Sequence, residues 1–441
     1  MKVIVLSIVS SLVLYFMAPV EYSYSFSLAC LAVFLTSSIA LLKNNCRYTL
    51  IKFEFFFLFA FFFTNFVYAV FYYSINPYFS LFAEGFNEDY INKGSALSAL
   101  AASCFCLGVY DKKPACELKK QTVRERLFAP ISFVNVLLLL FIPYLYALYG
   151  THRYVTDFTK SNLNAILLYM VYYVIFAIMA TKRISFNSFV TRPAEAAFFF
   201  MTGIMVLLLL MIGSRSNPLH IVLLMLFLYN FYQHKIGNKM AFLFMLVGVL
   251  VMGFVGVARG GSEFSTSEMG SLLDVGNDLT INNRSLYVLM EYADGYGYTF
   301  GRTMLLQIAA VIPWGQSMLL SIPGVSVQMV DSSSFVTWLH YGNQIFEIGF
   351  GTNLIGDIYL AFGLFGVIVL MFMYGRILKI LYNSAIAGSG LATLVYGLMF
   401  METIFLTRAG LLTSLRPISW TLLYYYIFNY LFKNSQVRKT I

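Results

Sequence analysis

Hydrophobic stretches long enough to cross a lipid bilayer recur along the whole chain of 441 residues. Hydrophobic residues make up 60% of the sequence and charged residues only 11%, about half of what a soluble globular domain carries. The sequence therefore predicts an all-α polytopic membrane protein with about twelve transmembrane helices. The twelve stretches lie at about 2–20, 24–42, 51–73, 94–110, 130–149, 163–181, 195–213, 217–234, 239–258, 353–375, 391–407 and 417–432.

The basic residues between these stretches predict their orientation. If the N-terminus lies in the cytoplasm, 20 of the 29 Lys and Arg residues fall in cytoplasmic segments. Short loops rich in Lys and Arg stay on the cytoplasmic side of a membrane, so we expect both termini there. Most of the net charge of +9 then belongs to short loops, and this distribution does not indicate a nucleic-acid partner.

The nine basic residues left outside differ in type from the cytoplasmic ones, because seven are Arg and two are Lys. Arginine presents a planar fork of donors that holds phosphate or carboxylate oxygens, whereas lysine is sufficient for topology. The outer surface is therefore predicted to bind an anionic ligand. These residues are Lys93, Arg153, Lys160, Arg215, Arg259, Arg284, Arg302, Arg408 and Arg416.

Three regions follow from this topology. Residues 1–258 hold nine transmembrane helices, residues 259–352 form one long outer segment, and residues 353–441 hold three more helices and a cytoplasmic tail. Loops of such length are usually functional. Within the outer segment, residues 303–323 are apolar but contain Gln307 and Pro313-Trp314-Gly315, so we predict a re-entrant or interfacial element instead of a span.

The cysteine and histidine residues do not indicate a metal site. All five cysteines fall at predicted membrane or cytoplasmic positions, and the four histidines are scattered without zinc-like spacing. We therefore expect no disulfide on the outer surface, no cofactor and a metal-independent mechanism.

Five outer arginines are the candidates for binding an anion. Arg215 lies in a tight turn between two hydrophobic stretches, at the depth of lipid phosphates. Arg259 begins the outer segment and Arg284 follows within it, and Arg408 and Arg416 bracket the last outer turn. Taken singly, each could instead be a solvated or snorkelling arginine, and only the set on one side of the membrane favours a ligand.

Three residues are candidates for proton transfer. His340 is the only histidine of the outer segment, and histidine exchanges protons near neutral pH. Glu402 lies inside a hydrophobic stretch, where an acid is costly unless it is paired, so a structural ion pair is the alternative. Asp357 begins the tenth predicted helix and could simply complement the helix dipole.

Three features together resemble the O-antigen polymerase (Wzy-type) family of bacterial polysaccharide assembly. The first is the layout of about twelve spans with one long outer segment before the last three. The second is Gly213-Ser-Arg215 at the start of an apolar helix. The third is the glycine-rich stretch 349–366, which contains Tyr359-Leu-Ala-Phe-Gly-Leu-Phe-Gly366 and is similar to the family's Tyr-x-x-Phe-Gly-x-x-Gly helix. An Arg-x10-Gly spacing at Arg259 and Arg284 adds weak support.

This resemblance implies a GT-C-like helical bundle in the bacterial inner membrane. It implies joining of oligosaccharide repeat units carried on undecaprenyl diphosphate at the periplasmic face, by a glycosyltransferase whose partners include membrane lipid and a chain-length regulator protein. Arg215, Arg259, Arg284, Arg408 and Arg416 would then bind diphosphate. His340 is the first candidate for the base, followed by Glu402 and Asp357.

Two alternatives remain open at this stage. An O-antigen ligase uses the same donor but transfers the glycan to lipid A core, and sequence separates it poorly from a polymerase. A lipid-linked oligosaccharide flippase would instead predict several charges inside helices and short loops on both sides. The chain shows one clear mid-span charge, Glu402, and its longest loop lies outside.

Overall fold

A computed structural model describes residues 1–46, 49–75, 86–111, 127–150, 158–182, 192–212, 216–244, 280–342 and 351–440, together with Ser214 and Gly248. Within these ranges the secondary structure is entirely helical, without a β-strand. This confirms the predicted all-α class and is consistent with a polytopic membrane protein, whereas the number of spans and the placement of the loops stay predictions.

The chain divides into two compact units, each assembled from three separate stretches of sequence. The first comprises residues 1–116, 271–380 and 403–414, and the second comprises residues 117–270, 381–402 and 415–441. The first unit contains most of the predicted outer segment and the start of the helix that follows it.

The first unit contains ten helices and three single turns among the described residues, and its helix α13 continues into the second unit. They are α1 Lys2–Phe16, α2 Tyr24–Asn45, α3 Phe53–Asn65, α4 Tyr90–Val109, α9 Asn282–Tyr296, α10 Leu305–Ala309, α11 Gly315–Leu320, α12 Ser332–Tyr341, α13 Leu354–Ile386 and α15 Thr403–Leu406, with single turns at Tyr68–Tyr72, Arg302–Met304 and Val327–Val330.

The second unit supplies the remaining helices. They are α5 Ile131–Gly150, α6 Phe158–Thr181, α7 Pro193–Met211, α8 Ser216–Leu228, α14 Gly390–Met401 and α16 Leu415–Thr440, with a π-helical turn at Tyr229–Gln233 and a helical stretch at 238–244. The ninth predicted span, 239–258, continues beyond 244 into a part of the chain that lies outside the described residues, apart from Gly248.

Three of the described helices are both long and apolar enough to cross a membrane by themselves: Tyr24–Asn45, Pro193–Met211 and Leu354–Ile386. Five shorter apolar helices coincide with other predicted spans. Four predicted spans are interrupted among the described residues. Helices α3 and α8 end at Asn65 and Leu228 before π-helical turns, α13 is broken at Gly363, and α14 ends at Met401, one residue before Glu402. Such breaks expose backbone groups inside a membrane protein only where other protein groups can satisfy them.

In the core of the first unit, helices α4 and α13 cross at glycines. A Cβ on Gly108 would lie 2.2 Å from the carbonyl oxygen of Phe372, and a Cβ on Gly375 would lie 2.5 Å from that of Phe105. The backbones therefore touch, in the way that small residues allow membrane helices to pack. Beside the crossing, Phe53, Phe57, Phe105 and Tyr374 form a cluster of aromatic rings.

Candidate functional site

The first unit brings two predicted site residues into contact, Arg284 and His340. Arg284 lies in the first turn of α9 and is only 4% exposed, and His340 lies in the last turn of α12. The Arg284 Nη2 atom is 2.6 Å from His340 Nδ1 and 3.3 Å from His340 Nε2. A buried cation and the only histidine of the outer segment therefore form one pair.

This contact determines the hydrogen-bonding state of the imidazole. A guanidinium group has donors but no acceptor, so the ring nitrogen nearest Arg284 accepts a hydrogen bond and carries no proton. An imidazole that accepts a hydrogen bond from this guanidinium is the neutral form. A neutral imidazole is the form that can take up a proton in a reaction.

Helix capping explains why His340 occupies this position. Asp331 precedes α12, and its carboxylate accepts hydrogen bonds of 2.8 Å from both the N–H and the hydroxyl of Ser334 in the first turn of that helix. Burial raises the pKa of Asp331, although these two bonds from Ser334 lower it. Gly342, with a φ of +64°, follows the last residue of the helix. Because both ends are capped, the helix has ten residues, and His340 lies in its last turn.

A buried network of asparagines binds the backbone next to Arg284. The Asn353 Nδ2 atom donates to Asn65 Oδ1 at 3.0 Å and to the carbonyl of Asn282 at 3.3 Å, two residues before Arg284. Its Oδ1 atom accepts from the N–H groups of Ile355 and Gly356 at the start of α13. Asn65, Asn282 and Asn353 are at most 1% exposed. Buried hydrogen bonds of this kind help to hold one geometry.

The carboxylate of Asp357 is hydrogen-bonded to the backbone of the last outer turn. Its Oδ2 atom accepts a hydrogen bond of 2.9 Å from the N–H of Leu411, and the Gln307 Oε1 atom accepts one of 2.9 Å from the next N–H, that of Leu412. The Ser332 side chain lies beside the carboxyl group. Asp357 and Gln307 thus both accept hydrogen bonds from the turn that follows Arg408. The bond to Leu411 suggests that Asp357 positions this turn.

Two substitutions of Asp357 distinguish positioning from proton transfer. Asp357→Asn keeps an oxygen that can accept from Leu411, so we expect it to retain most of the activity of the protein. Asp357→Ala removes the acceptor and leaves the part-buried N–H of Leu411 without this bond, at a cost of about 1–3 kcal/mol. Activity and thermal stability measured on both purified variants check this. If a stable Asp357→Asn protein lost as much activity as Asp357→Ala, Asp357 would be identified as the base.

A break in α13 explains the glycine-rich sequence around residue 363. Gly363 has a φ of +65° and a ψ of −159°, which interrupts the helix. The carbonyls of Leu360 and Ala361 accept instead from the N–H groups of Thr299 and Phe300, at 2.9 and 3.0 Å. A Cβ on Gly363 would lie within 3 Å of the Tyr298 ring. The outer segment therefore docks into the broken helix.

Tyr359, four residues before this break, joins a second polar network. Its hydroxyl donates to Asp294 Oδ1 at 2.7 Å and lies 2.9 Å from the hydroxyl of Tyr15. The other oxygen of Asp294 is 2.5 Å from Lys93 Nζ, and Lys93 also lies over the Tyr15 ring. This network ties α9 to α1, α4 and α13 at the end opposite Arg284.

The second unit contains the other two described candidates, Glu402 and Arg416. Glu402 lies 3.3 Å from His220 Nε2, and both side chains are buried. The Arg416 guanidinium lies 5.7 Å from the centre of the Trp420 ring, a cation–π contact. Glu402 thus has the paired environment that a buried acid needs, with histidine as the partner.

The predicted residues are therefore distributed unequally. Arg284, His340 and Asp357 belong to one unit, where Arg408 is half-buried in the turn held by Asp357. Arg215 and Arg259 lie outside the described residues. Sequence reasoning missed Asn353, Asn65 and His220 as site or pairing residues; a buried asparagine inside an apolar stretch was the available signal for Asn65. No group of three or more His, Cys, Asp or Glu residues suited to a metal occurs among the described residues.

Comparison with known families confirms the resemblance. The family model described as O-antigen polysaccharide polymerase Wzy matches residues 1–439. No curated protein and no solved structure matches the chain significantly. The match covers the outer segment, the Arg284–His340 pair and the broken helix together. The chain therefore belongs to the O-antigen polysaccharide polymerase (Wzy) family, whose members polymerise lipid-linked oligosaccharide repeat units in lipopolysaccharide biosynthesis.

Proposed function

We propose that the chain joins repeat units carried on undecaprenyl diphosphate at the periplasmic face of the inner membrane, with Arg284 and His340 as the catalytic pair and both termini cytoplasmic. The observation that carries this proposal is the 2.6 Å contact between Arg284 Nη2 and His340 Nδ1 in the predicted outer segment. The pair combines a cation for a diphosphate with a neutral imidazole for a hydroxyl proton. A chain-length regulator protein is a further partner on family grounds.

The reaction breaks the bond between the anomeric carbon of the donor glycan and the diphosphate oxygen. The hydroxyl oxygen of the acceptor sugar forms the new bond to that carbon, and its proton passes to His340. The diphosphate leaves with the electron pair of the broken bond. Arg284 stabilises the charge that develops on the leaving oxygen, as donors aimed at such charge do without a metal.

The contact between the two side chains also orders these events. While Arg284 donates to Nδ1, the lone pair of that nitrogen is occupied and cannot take a proton. A diphosphate is a stronger acceptor for the guanidinium than a neutral imidazole. Donor binding would therefore draw Arg284 away and expose the base only when a leaving group is present.

The other candidates have supporting roles in this proposal. Arg408, in the turn held by Asp357 and Gln307, is proposed to bind diphosphate. For Arg215, Arg259 and Arg416 the same role stays a prediction from the sequence. Glu402 is kept by its contact with His220 from serving as the first base. Asp357 positions the turn through Leu411.

A reconstituted reaction tests the proposed donor and the absence of a metal requirement. Purified protein is incubated with undecaprenyl-diphosphate-linked repeat units in EDTA, and we expect polymer together with one undecaprenyl diphosphate for each new linkage. Activity that requires added Mg²⁺ would contradict the metal-independent mechanism.

In a strain lacking the protein, lipopolysaccharide should carry core plus a single repeat unit, whereas bare core would indicate a ligase or a flippase.

A further inference from the structure

The outer segment contains a long stretch without charge. No Asp, Glu, Lys or Arg occurs from Thr303 to Val330, whereas Arg302 and Asp331 flank the stretch directly. These 28 residues are folded as short helices, α10, α11 and a turn at Val327–Val330, none longer than six residues. Pro313 and Pro323 prevent a longer helix, so the stretch cannot cross a bilayer as one span.

The apolar side chains of this stretch project outward. The exposed fractions of Ile312 and Met318, 63% and 66%, are close to the 64% and 68% of Leu139 and Leu140 in a predicted transmembrane helix. Water around this many exposed apolar groups in one short stretch would be unfavourable. The exposed apolar residues of the stretch are Leu305, Ile308, Ile312, Trp314, Met318, Ile322 and Met329.

Trp314 adds evidence from backbone strain. Its φ of +60° lies in the left-handed region, which costs a bulky residue about 1–3 kcal/mol. The turn is tight, since a Cβ on Gly315 would lie 2.2 Å from the Ala309 carbonyl oxygen. Trp314 is nevertheless 51% exposed. Tryptophan is enriched at the interface between membrane and water, where an inserted indole ring would offset this cost.

We propose that Leu305–Ile322 lies in the plane of the membrane, with its apolar side chains inserted among lipid acyl chains at the outer surface. The occupant of this face is lipid, because the face carries aliphatic groups and one tryptophan but no charge with which to select a protein partner. Gln307, on α10, binds the N–H of Leu412. Insertion of α10 therefore sets the depth of the turn that carries Arg408.

Fluorescence quenching by brominated lipids tests this independently of polymerase activity. Trp314 is kept as the only tryptophan by Trp338→Phe and Trp420→Phe, and the protein is reconstituted in vesicles whose acyl chains carry bromine at a shallow or a deep position. We expect strong quenching by the shallow bromines and less by the deep ones. Adding Ile312→Glu and Met318→Glu should reduce this quenching.

Two outcomes would overturn the proposal. Emission unaffected by either lipid would place Trp314 in water or against protein, and stronger quenching by the deep bromines would indicate a re-entrant segment. Because Trp420 is buried, its replacement could impair folding. A fluorophore attached at Met318→Cys, in a chain that keeps all three tryptophans and carries Cys116→Ser, then gives the same depth measurement, since the other four cysteines, Cys30, Cys46, Cys104 and Cys106, are buried.

Discussion

Replacing His340 by glutamine is expected to lower the rate of polymerisation by about 10²–10⁴-fold, the usual contribution of a general base. The glutamine carbonyl can still accept a hydrogen bond from Arg284, so the buried arginine keeps a partner and the fold should persist. The measurement is the rate of linkage formation by the purified variant. In cells, lipopolysaccharide should show core with a single repeat unit.

Thermal stability separates this loss from misfolding. His340→Gln should unfold within a few degrees of the wild-type protein, because it changes one half-exposed side chain. His220→Gln is the matched histidine control, since His220 contacts Glu402 in the other unit and has no proposed role in proton transfer. Near-normal polymerisation by a stable His340→Gln protein would remove His340 from the mechanism.

Replacing Arg284 by lysine is expected to lower polymerisation roughly 10- to 150-fold, which corresponds to the loss of one charge-assisted hydrogen bond worth about 1.5–3 kcal/mol. Lysine keeps the positive charge but loses the planar fork that can hold two phosphate oxygens. If Arg284 stabilises the leaving group, the loss should fall mainly on kcat. An effect confined to KM would indicate binding alone.

Arg302→Lys provides the matched control for this substitution. Arg302 belongs to the same outer segment but is exposed, so the change from arginine to lysine should leave the rate unaltered. Equal losses in Arg302→Lys and Arg284→Lys would mean that the outer arginines act through general charge. Full activity in Arg284→Lys would contradict the proposed contact with the leaving diphosphate.

The sequence indicates which residue types form the candidate site, but not their arrangement. His340 and Arg284 were identifiable because histidine and arginine are scarce in an apolar chain and both fall in the outer segment. Their contact joins residues 56 positions apart, across a packing of α9 and α12 that no local pattern encodes. Periodicity describes one helix at a time and carries no information on which helices meet.

Asp357 and Gly363 illustrate the same limit. Asp357 is the first acid of a helix, so the sequence could assign it to the helix dipole or to proton transfer. Only the structure shows that its carboxylate accepts a hydrogen bond from the N–H of Leu411. The glycine-rich sequence at 363 matched a family pattern, yet its function as a break that receives Thr299 and Phe300 depends on a distant segment. Tertiary contacts of this kind override local propensity.

A double-mutant cycle on Arg284→Lys and His340→Gln tests most directly whether the two residues form one catalytic site. Rates of linkage formation are measured for the wild type, both single variants and the double variant at saturating lipid-linked donor. If the pair acts as a unit, the double variant should be no slower than the slower single variant. Losses that multiply would show that Arg284 and His340 act independently, which would contradict the account.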